Sequence, residues 1–416
     1  MKIIVTTSTF PTHENDIVPR FVYDQIQGLK EFDRSLELYV LTPHHSHSSP
    51  MPDETRKESH TEIRYHYFPL QKFERLSGRG ILPTLKKNPL LSILIPFFLW
   101  GQRRALIQLC NRIQPDLIYA HWFMPQAIVA SSVSHKLDIP YIFTTHASDV
   151  SVLHKLPFSS ILIARCLDSA KHFTAVSKRT AQKLKSTFSD EVWVSSYANK
   201  LSVIPMGTSY VETKASVNTH QPYKPMNFSR TPYALFLGRL SEKKGIEFLL
   251  QGFKIFLDSD HSNLRLVIAG EGELTTELKE AASNLQLTEH ITFHGFVSGN
   301  VKSEVITQAE MVVIPSIIDS RGDSEGMPVV LMEALACSKR VIATAVSGAE
   351  EILTEKSGII IEPENPIAIA NSIATLYKQQ SLERSSMERA AKETSLQFGW
   401  PNICDRHHQI FKEATK

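Results

Sequence analysis

A chain of 416 residues is too long for one ordinary core, so two domains of roughly 200 residues each are the expectation. Hydrophobic residues at 42% and charged residues at 21% describe a globular protein and exclude a disordered or fibrous one. The formal charge of +2 gives no global reason to bind nucleic acid, and four cysteines without any C-x-x-C spacing favour a reducing compartment over a disulfide framework.

The N-terminus, Met1-Lys-Ile-Ile-Val-Thr-Thr-Ser, has no long apolar stretch of the signal-peptide kind and reads as a first strand; a cytoplasmic protein, peripheral at most on the cytoplasmic face of a membrane, is the expectation. Strands are then expected at Lys2–Val5, Glu37–Leu41, Leu117–Tyr119, Tyr141–Thr144, His172–Ala175 and Ser202–Ile204, with helices such as Pro19–Lys30 and Gln126–Lys136 between them. From Ser209 to Pro232 periodicity disappears into a polar stretch with three prolines, which reads as a linker. A second series follows. It has strands at Tyr233–Leu237, Leu264–Ala269, Ile291–His294, Met311–Ile314 and Val341–Ala343, and helices at Gly245–Phe256, Glu273–Asn284, Val301–Gln308 and Pro328–Ala336.

This alternation predicts an α/β protein of two tandem doubly wound Rossmann-like domains with a cleft between them, ligands binding beyond the carboxyl ends of the strands. The expected boundaries are 1–208 and 233–399, with a linker at 209–232 and a tail helix over 400–416 packing back on the first domain.

Two local features stand outside this plan. Asn88–Trp100 is the most apolar run, shorter than the roughly 20 residues of a spanning helix and interrupted by Pro96. Flanked by Arg75, Arg79, Lys86, Lys87, Arg103 and Arg104, it reads equally as an interfacial membrane segment or as a buried helix. His44, His45 and His47 cluster on a polar loop with no acidic or cysteine partner nearby in sequence, so a solvated loop is preferred to a metal site.

The chemistry concentrates in the second half. Glu325 and Glu333 have seven residues between them at a strand-to-helix junction, with Gly326 allowing close backbone approach and Pro328 suited to a helix start. Carboxylates that accept from hydroxyls, beside helix N-terminal amides that favour an anion, suit a sugar nucleotide. Directly after Tyr233–Leu237, the turn Gly238–Gly245 carries Arg239 and Lys244, two cations able to neutralise a departing diphosphate. Taken alone, that turn reads almost as well as a solvated charged loop.

Together these segments resemble the retaining glycosyltransferases of the two-Rossmann-domain (GT-B) type, glycosyltransferase family 4, group 1. Thr9–Val22, Ala120–Gln126, Thr145-His-Ala-Ser-Asp149, Ala175-Val-Ser177, Ile204-Pro-Met-Gly207 and Phe293-His-Gly-Phe-Val297 extend the likeness over nearly the whole chain. The resemblance implies that Arg239 and Lys244 bind the donor diphosphate, Glu325 the transferred sugar and Glu333 the ribose. It places Gly238, Gly326, Met327, Ser347 and Gly348 along the donor, Phe296 and Val297 at its base, and His146 under the sugar. His121, Asp149 and Asp16 fall on the acceptor side.

Ala147 stands where the family has glycine, Thr208-Ser209 replaces a small-apolar–Asp pair, and Ser347-Gly-Ala-Glu-Glu351 replaces Gly-Gly-x-Pro-Glu. The implied activity is transfer of a hexose from a UDP- or GDP-sugar, with retention, to a polysaccharide- or lipid-linked acceptor, without metal or other cofactor and with a peripheral membrane contact through Asn88–Trp100. Three other readings remain: a glycoside hydrolase using Glu325 and Glu333, a nucleotide-sugar hydrolase or epimerase, and an inactive nucleotide-sugar-binding protein.

Overall fold

The computed structural model describes residues 1–13, 16, 18, 20–45, 52–77, 80–146, 149–150, 159–208, 231–260 and 263–416. The segment expected to be a linker lies almost wholly outside the described residues, as do Arg79, His47 and Ala147. The chain divides into two compact units, Met1–Gly207 with Trp400–Lys416, and Thr208–Gly399.

In the first unit eight strands run in the order β3-β4-β2-β1-β5-β6-β7-β8, where β1 is Lys2–Thr6, β2 Glu37–Pro43, β3 Glu54–Arg56, β4 Thr61–Tyr65, β5 Leu117–His121, β6 Tyr141–Thr145, β7 His172–Ala175 and β8 Leu201–Val203. All neighbours pair in parallel except β3 with β4. The strand order reverses at β1, so the loops leaving β1 and β5 part there and open a crevice. Helix Trp400–Ala414 packs on helix Phe21–Phe32.

Strands β3 and β4 fall in a stretch where no strand was expected. The reason is visible in β4: its buried Glu62 and Arg64 break the apolar pattern. They pair at 2.6 Å, and Arg64 also donates to the carbonyls of Phe10, Pro11 and Pro43. A strand whose buried positions are an ion pair carries no hydrophobic signal.

Pro96 does not interrupt the apolar run. It occupies the first turn of helix Ile95–Ile113, where its missing N–H removes no hydrogen bond. With the 3-10 segment Pro89–Leu94 before it, the run continues into a longer element, and Pro89–Ile113 is long and apolar enough to cross a membrane by length and composition alone, where Asn88–Trp100 by itself is not. Phe98, Gly101, Gln102, Leu106, Leu109 and Cys110 nevertheless bury one face in the core of the unit. The arrangement is that of an amphipathic surface helix.

The second unit is a six-stranded sheet ordered β11-β10-β9-β12-β13-β14, parallel throughout, with β9 at Tyr233–Leu237, β10 at Arg265–Ala269, β11 at Ile291–Gly295, β12 at Met311–Ile314, β13 at Arg340–Thr344 and β14 at Gly358–Ile361. Strands β9, β10, β12 and β13 are almost continuously buried, as expected when helices cover both faces. The order reverses between β9 and β12, the two strands that precede the charged motifs.

Candidate active site

In the second unit, sheet register places the two charged motifs side by side. Met311 and Val312 of β12 pair with Ala234 and Leu235 of β9, so the turn after β9 and the loop after β12 leave adjacent strand ends at the reversal point. The turn winds through a 3-10 segment, Glu242–Lys244, and ends at Gly245 with φ +61°. A Cβ on Gly245 would lie 2.0 Å from the carbonyl oxygen of Pro315, so only glycine allows the two loops to pack this closely. Ile317 N–H donates to Lys243 O at 2.9 Å and ties them together.

Across that seam Lys244 Nζ reaches Glu325 Oε2 at 2.9 Å, while Lys243 Nζ lies 3.6 Å from Glu325 and 3.2 Å from Asp323. Burial opposes the charge on Glu325, but Lys244 and then Lys243 override it and hold the carboxyl down at about 2. Burial likewise opposes the ammonium of Lys243, and Glu325 and Asp323 more than offset it, raising its pKa. Glu325 is therefore a fixed anion at neutral pH, able to accept from hydroxyls and unable to donate a proton.

Arg239 is on the same turn but points elsewhere, its Nε 3.2 Å from Glu273 with both side chains half exposed. Glu333 sits one and a half turns into helix Val329–Ala336, for which Pro328 is the N-cap residue and not the first helical one. It pairs with Lys302 through one oxygen, while its buried Oε2 has no hydrogen-bond partner among the described residues. Gly348, at φ +81°, packs against the carbonyl of Gly326, where a Cβ would approach to 2.4 Å. Ser347 N–H closes a turn onto Thr344 O at 3.1 Å, and its hydroxyl accepts from Ala349 N–H at 3.2 Å. After β11, Phe296 is exposed and Val297 buried. Gly238 continues the strand pairing by donating to Ala269 O at 3.0 Å.

In the first unit His121 ends β5 and His146 follows β6; their Nδ1 and Nε2 are 3.2 Å apart. Phe21 and Trp122 flank the His146 ring at 5.1 and 5.0 Å. Burial, with a contribution from His407, pushes His146 down to about 3, and burial, then His146 and His407, lower His121. The pair is thus neutral at pH 7. Asp149 has a different place: it accepts from Phe123 N–H at 2.7 Å, Thr145 Oγ1 at 2.8 Å, His146 N–H at 3.1 Å and Val150 N–H at 3.0 Å. It orients the His146 turn. Asp16 accepts from the amide and hydroxyl of Thr12 at 2.8 and 2.7 Å and shapes the loop after β1.

Several participants are not evident from the primary structure. Lys243 is adjacent to a chosen lysine, yet only packing separates their roles. Lys302, Asp323 and the buried His407 of helix Trp400–Ala414 meet their partners through tertiary contacts alone.

The comparison with known proteins decides the class. Residues 18–208 match the family described as Glycosyltransferase Family 4, and residues 221–394 that described as Glycosyl transferases group 1. The chain belongs to these glycosyltransferases. It is 27% identical to a Bacillus subtilis glycosyltransferase named for teichuronic acid biosynthesis, TuaC, covering all of this chain and 99% of that one. Among solved structures it resembles sucrose-phosphate synthase from Thermosynechococcus elongatus, with a TM-score of 0.74, 18% identity and coverage of 99% and 98%. It also resembles Anabaena HepE in complex with UDP and glucose, with a TM-score of 0.69, 15% identity and 99% of both chains covered. At these identities the structures speak for the fold, which is GT-B.

Proposed function

We propose that the glycosyltransferase uses a nucleoside-diphosphate hexose, in UDP or GDP form, and transfers the sugar with retention to a polysaccharide- or lipid-linked hydroxyl. The observation that carries this reading is the Lys244–Glu325 pair at the strand-order reversal of the second unit, with Glu333 on the helix that follows. A diphosphate placed there meets Lys244, and Arg239 joins it by leaving Glu273; sugar and ribose hydroxyls find Glu325 and Glu333 as acceptors. Met327 follows β12, the Gly348 turn follows β13 and Phe296 and Val297 follow β11, all along the carboxyl edge of the same sheet. In the first unit His146 is assigned to the transferred sugar and His121 to the acceptor side, and Asp149 and Asp16 position its loops.

As the bond from the anomeric carbon to the diphosphate oxygen breaks, the lysine and arginine stabilise the charge that develops on the leaving group. The acceptor oxygen bonds to that carbon from the same face, and its proton passes to the departing phosphate oxygen. Retention is a trait of the family the chain resembles. The likeness to HepE, solved with UDP and glucose, supports the donor class, and the likeness to TuaC supports a surface-polymer acceptor. A glycosidase needs one carboxyl protonated as general acid, and Glu325, held at about 2, does not meet that requirement.

The acceptor reading carries a location, the cytoplasmic face of a membrane. Leu90, Ile93, Phe97 and Trp100 are 83%, 72%, 43% and 61% exposed along one side of Pro89–Ile113, with Arg104 over the Trp100 ring at 5.5 Å. Apolar side chains beside cations suit an anionic lipid surface.

A thermal-shift panel of UDP-, GDP-, ADP- and dTDP-sugars on wild type and Glu333→Ala tests the donor site. Ligand at 100 times its Kd adds about 2.7 kcal/mol of stability. One nucleotide class should stabilise wild type and lose that effect in the variant; no response to any donor would remove this reading. NMR of the product's anomeric proton against that of the donor decides retention.

A further inference from the structure

We propose that the first unit carries a divalent-metal site, of the zinc class, formed by His44, Asp53 and His66. It lies outside the donor-binding residues and is independent of the glycosyl-transfer reading.

The site follows from sheet register. In the parallel pairing of β2 with β4, Pro43 lies beside Tyr65, so the next residue on each strand, His44 and His66, emerge as neighbours. His44 N–H donates to Tyr65 O at 2.9 Å and continues the ladder one residue further. The two imidazoles stack, with centroids 4.0 Å apart and planes 8° from parallel. Asp53 precedes β3 and is held by its carbonyl, which accepts from Arg64 N–H at 2.8 Å. Its Oδ1 lies 2.9 Å from His44 Nε2 and 3.8 Å from His66 Nε2. Among the described residues this is the one group of three such side chains whose ligand atoms lie within 4.8 Å of one another. His44 therefore has the acidic partner that its own loop lacks in sequence.

The surroundings favour metal over a simple ion pair. Glu74 is buried; its Oε2 lies 2.7 Å from His66 Nδ1, and its Oε1 accepts from Phe68 N–H at 3.0 Å and from Tyr67 N–H. A carboxylate that fixes Nδ1–H leaves the Nε2 lone pair facing outward, the arrangement that commonly stands behind metal-bound histidine. Gln71 Nε2 at 3.1 Å from His66 Nε2 agrees, because an amide nitrogen only donates and so needs a lone pair there. Two imidazole nitrogens and one carboxylate oxygen are a zinc-type donor set with a fourth position open. With metal–ligand bonds of about 2.0–2.1 Å, tetrahedral ligand atoms sit roughly 3.3 Å apart. The observed 2.9 and 3.8 Å from Asp53 bracket that spacing, and an ion enters once the two stacked rings rotate out of parallel so that both Nε2 lone pairs face it.

Zinc titrated into the metal-stripped full chain against a chromogenic chelator, at pH 7.5, tests the site. Wild type should take up one equivalent at micromolar or tighter Kd. Asp53→Asn and His66→Gln should each weaken uptake at least tenfold, with melting temperatures of the metal-free proteins unchanged. Cobalt in place of zinc should give the intense visible bands of a four-coordinate ion and lose them in both variants. Absence of micromolar binding in wild type overturns the proposal. So does equal binding in wild type and both variants, which would assign the uptake to other histidines.

Discussion

Lys244 Nζ and Glu325 Oε2 are 2.9 Å apart although they are 81 positions apart in the chain, each side chain about seven-eighths buried, and their contact joins the turn after β9 to the loop after β12. The pair sets the charge of the site and also fastens its two halves. In a double-mutant cycle of Lys244→Ala and Glu325→Gln, read by urea unfolding, the two residues should show a favourable coupling of roughly 0.5–3 kcal/mol. Lys243, 3.6 Å from Glu325, remains beside the carboxylate in Lys244→Ala. Additive effects would mean that the contact contributes nothing. Both single variants should lose most transferase activity.

Acid should loosen the second unit through the same carboxyl. Glu325 has a folded pKa of about 2 against an ordinary 4.5, so its contribution is present above 4.5 and is lost as pH falls from there towards 2. Glu325→Gln should flatten the stability–pH curve across that window, as measured by urea midpoints.

The first unit should respond earlier. Burial pushes His407 and His146 down to about 3, so between an unfolded value near 6.5 and about 3 the unfolded state binds the extra protons. Stability therefore falls as pH falls through that window, by on the order of 1–2 kcal/mol for each such histidine at pH 5. Trp100, Trp122, Trp193 and Trp400 all belong to this unit, so tryptophan fluorescence isolates its unfolding. His407→Gln should reduce the slope by close to one proton, and an unchanged slope would rule out its titration as a contributor.

Gly348→Ala should disturb donor binding without touching a charged group. The added Cβ would press on the Gly326 carbonyl at 2.4 Å, and φ of +81° costs an L side chain about 1–2 kcal/mol. A rise in donor Kd of tenfold or more, beside a lowered melting temperature, is expected from calorimetry.

Ile93→Glu and Trp100→Glu place charges among exposed apolar side chains and should leave the melting temperature unchanged. Co-sedimentation with vesicles containing anionic lipid should fall several-fold in each. Equal sedimentation of wild type and variants would remove membrane contact from the proposed function.

The double α/β series and the place of the charged motifs at strand ends were legible in the chain, because parallel strands covered on both faces must be apolar runs and glycines mark the turns that follow them. Short strands with charged interiors were not legible. Glu62 and Arg64 satisfy each other only once β4 lies beside β2, and before that they read as polar loop. Pro96 shows the same limit, since whether a proline ends a helix or begins one depends on where the first turn falls.

Within the site, the amino-acid order alone determined which residue types stand at the reversal point of the second sheet: Arg239 and Lys244 on one strand end, Glu325 and Glu333 on the next. Tertiary structure decided who pairs with whom. It gave Lys244 to Glu325, Lys302 to Glu333 and Glu273 to Arg239, and it stacked His44 on His66 with Asp53 within reach. Spacing along a strand or helix is local geometry, set by the rise per residue. A contact between strand ends exists only after the sheet has chosen its order and register, and that choice is made by the whole buried face at once.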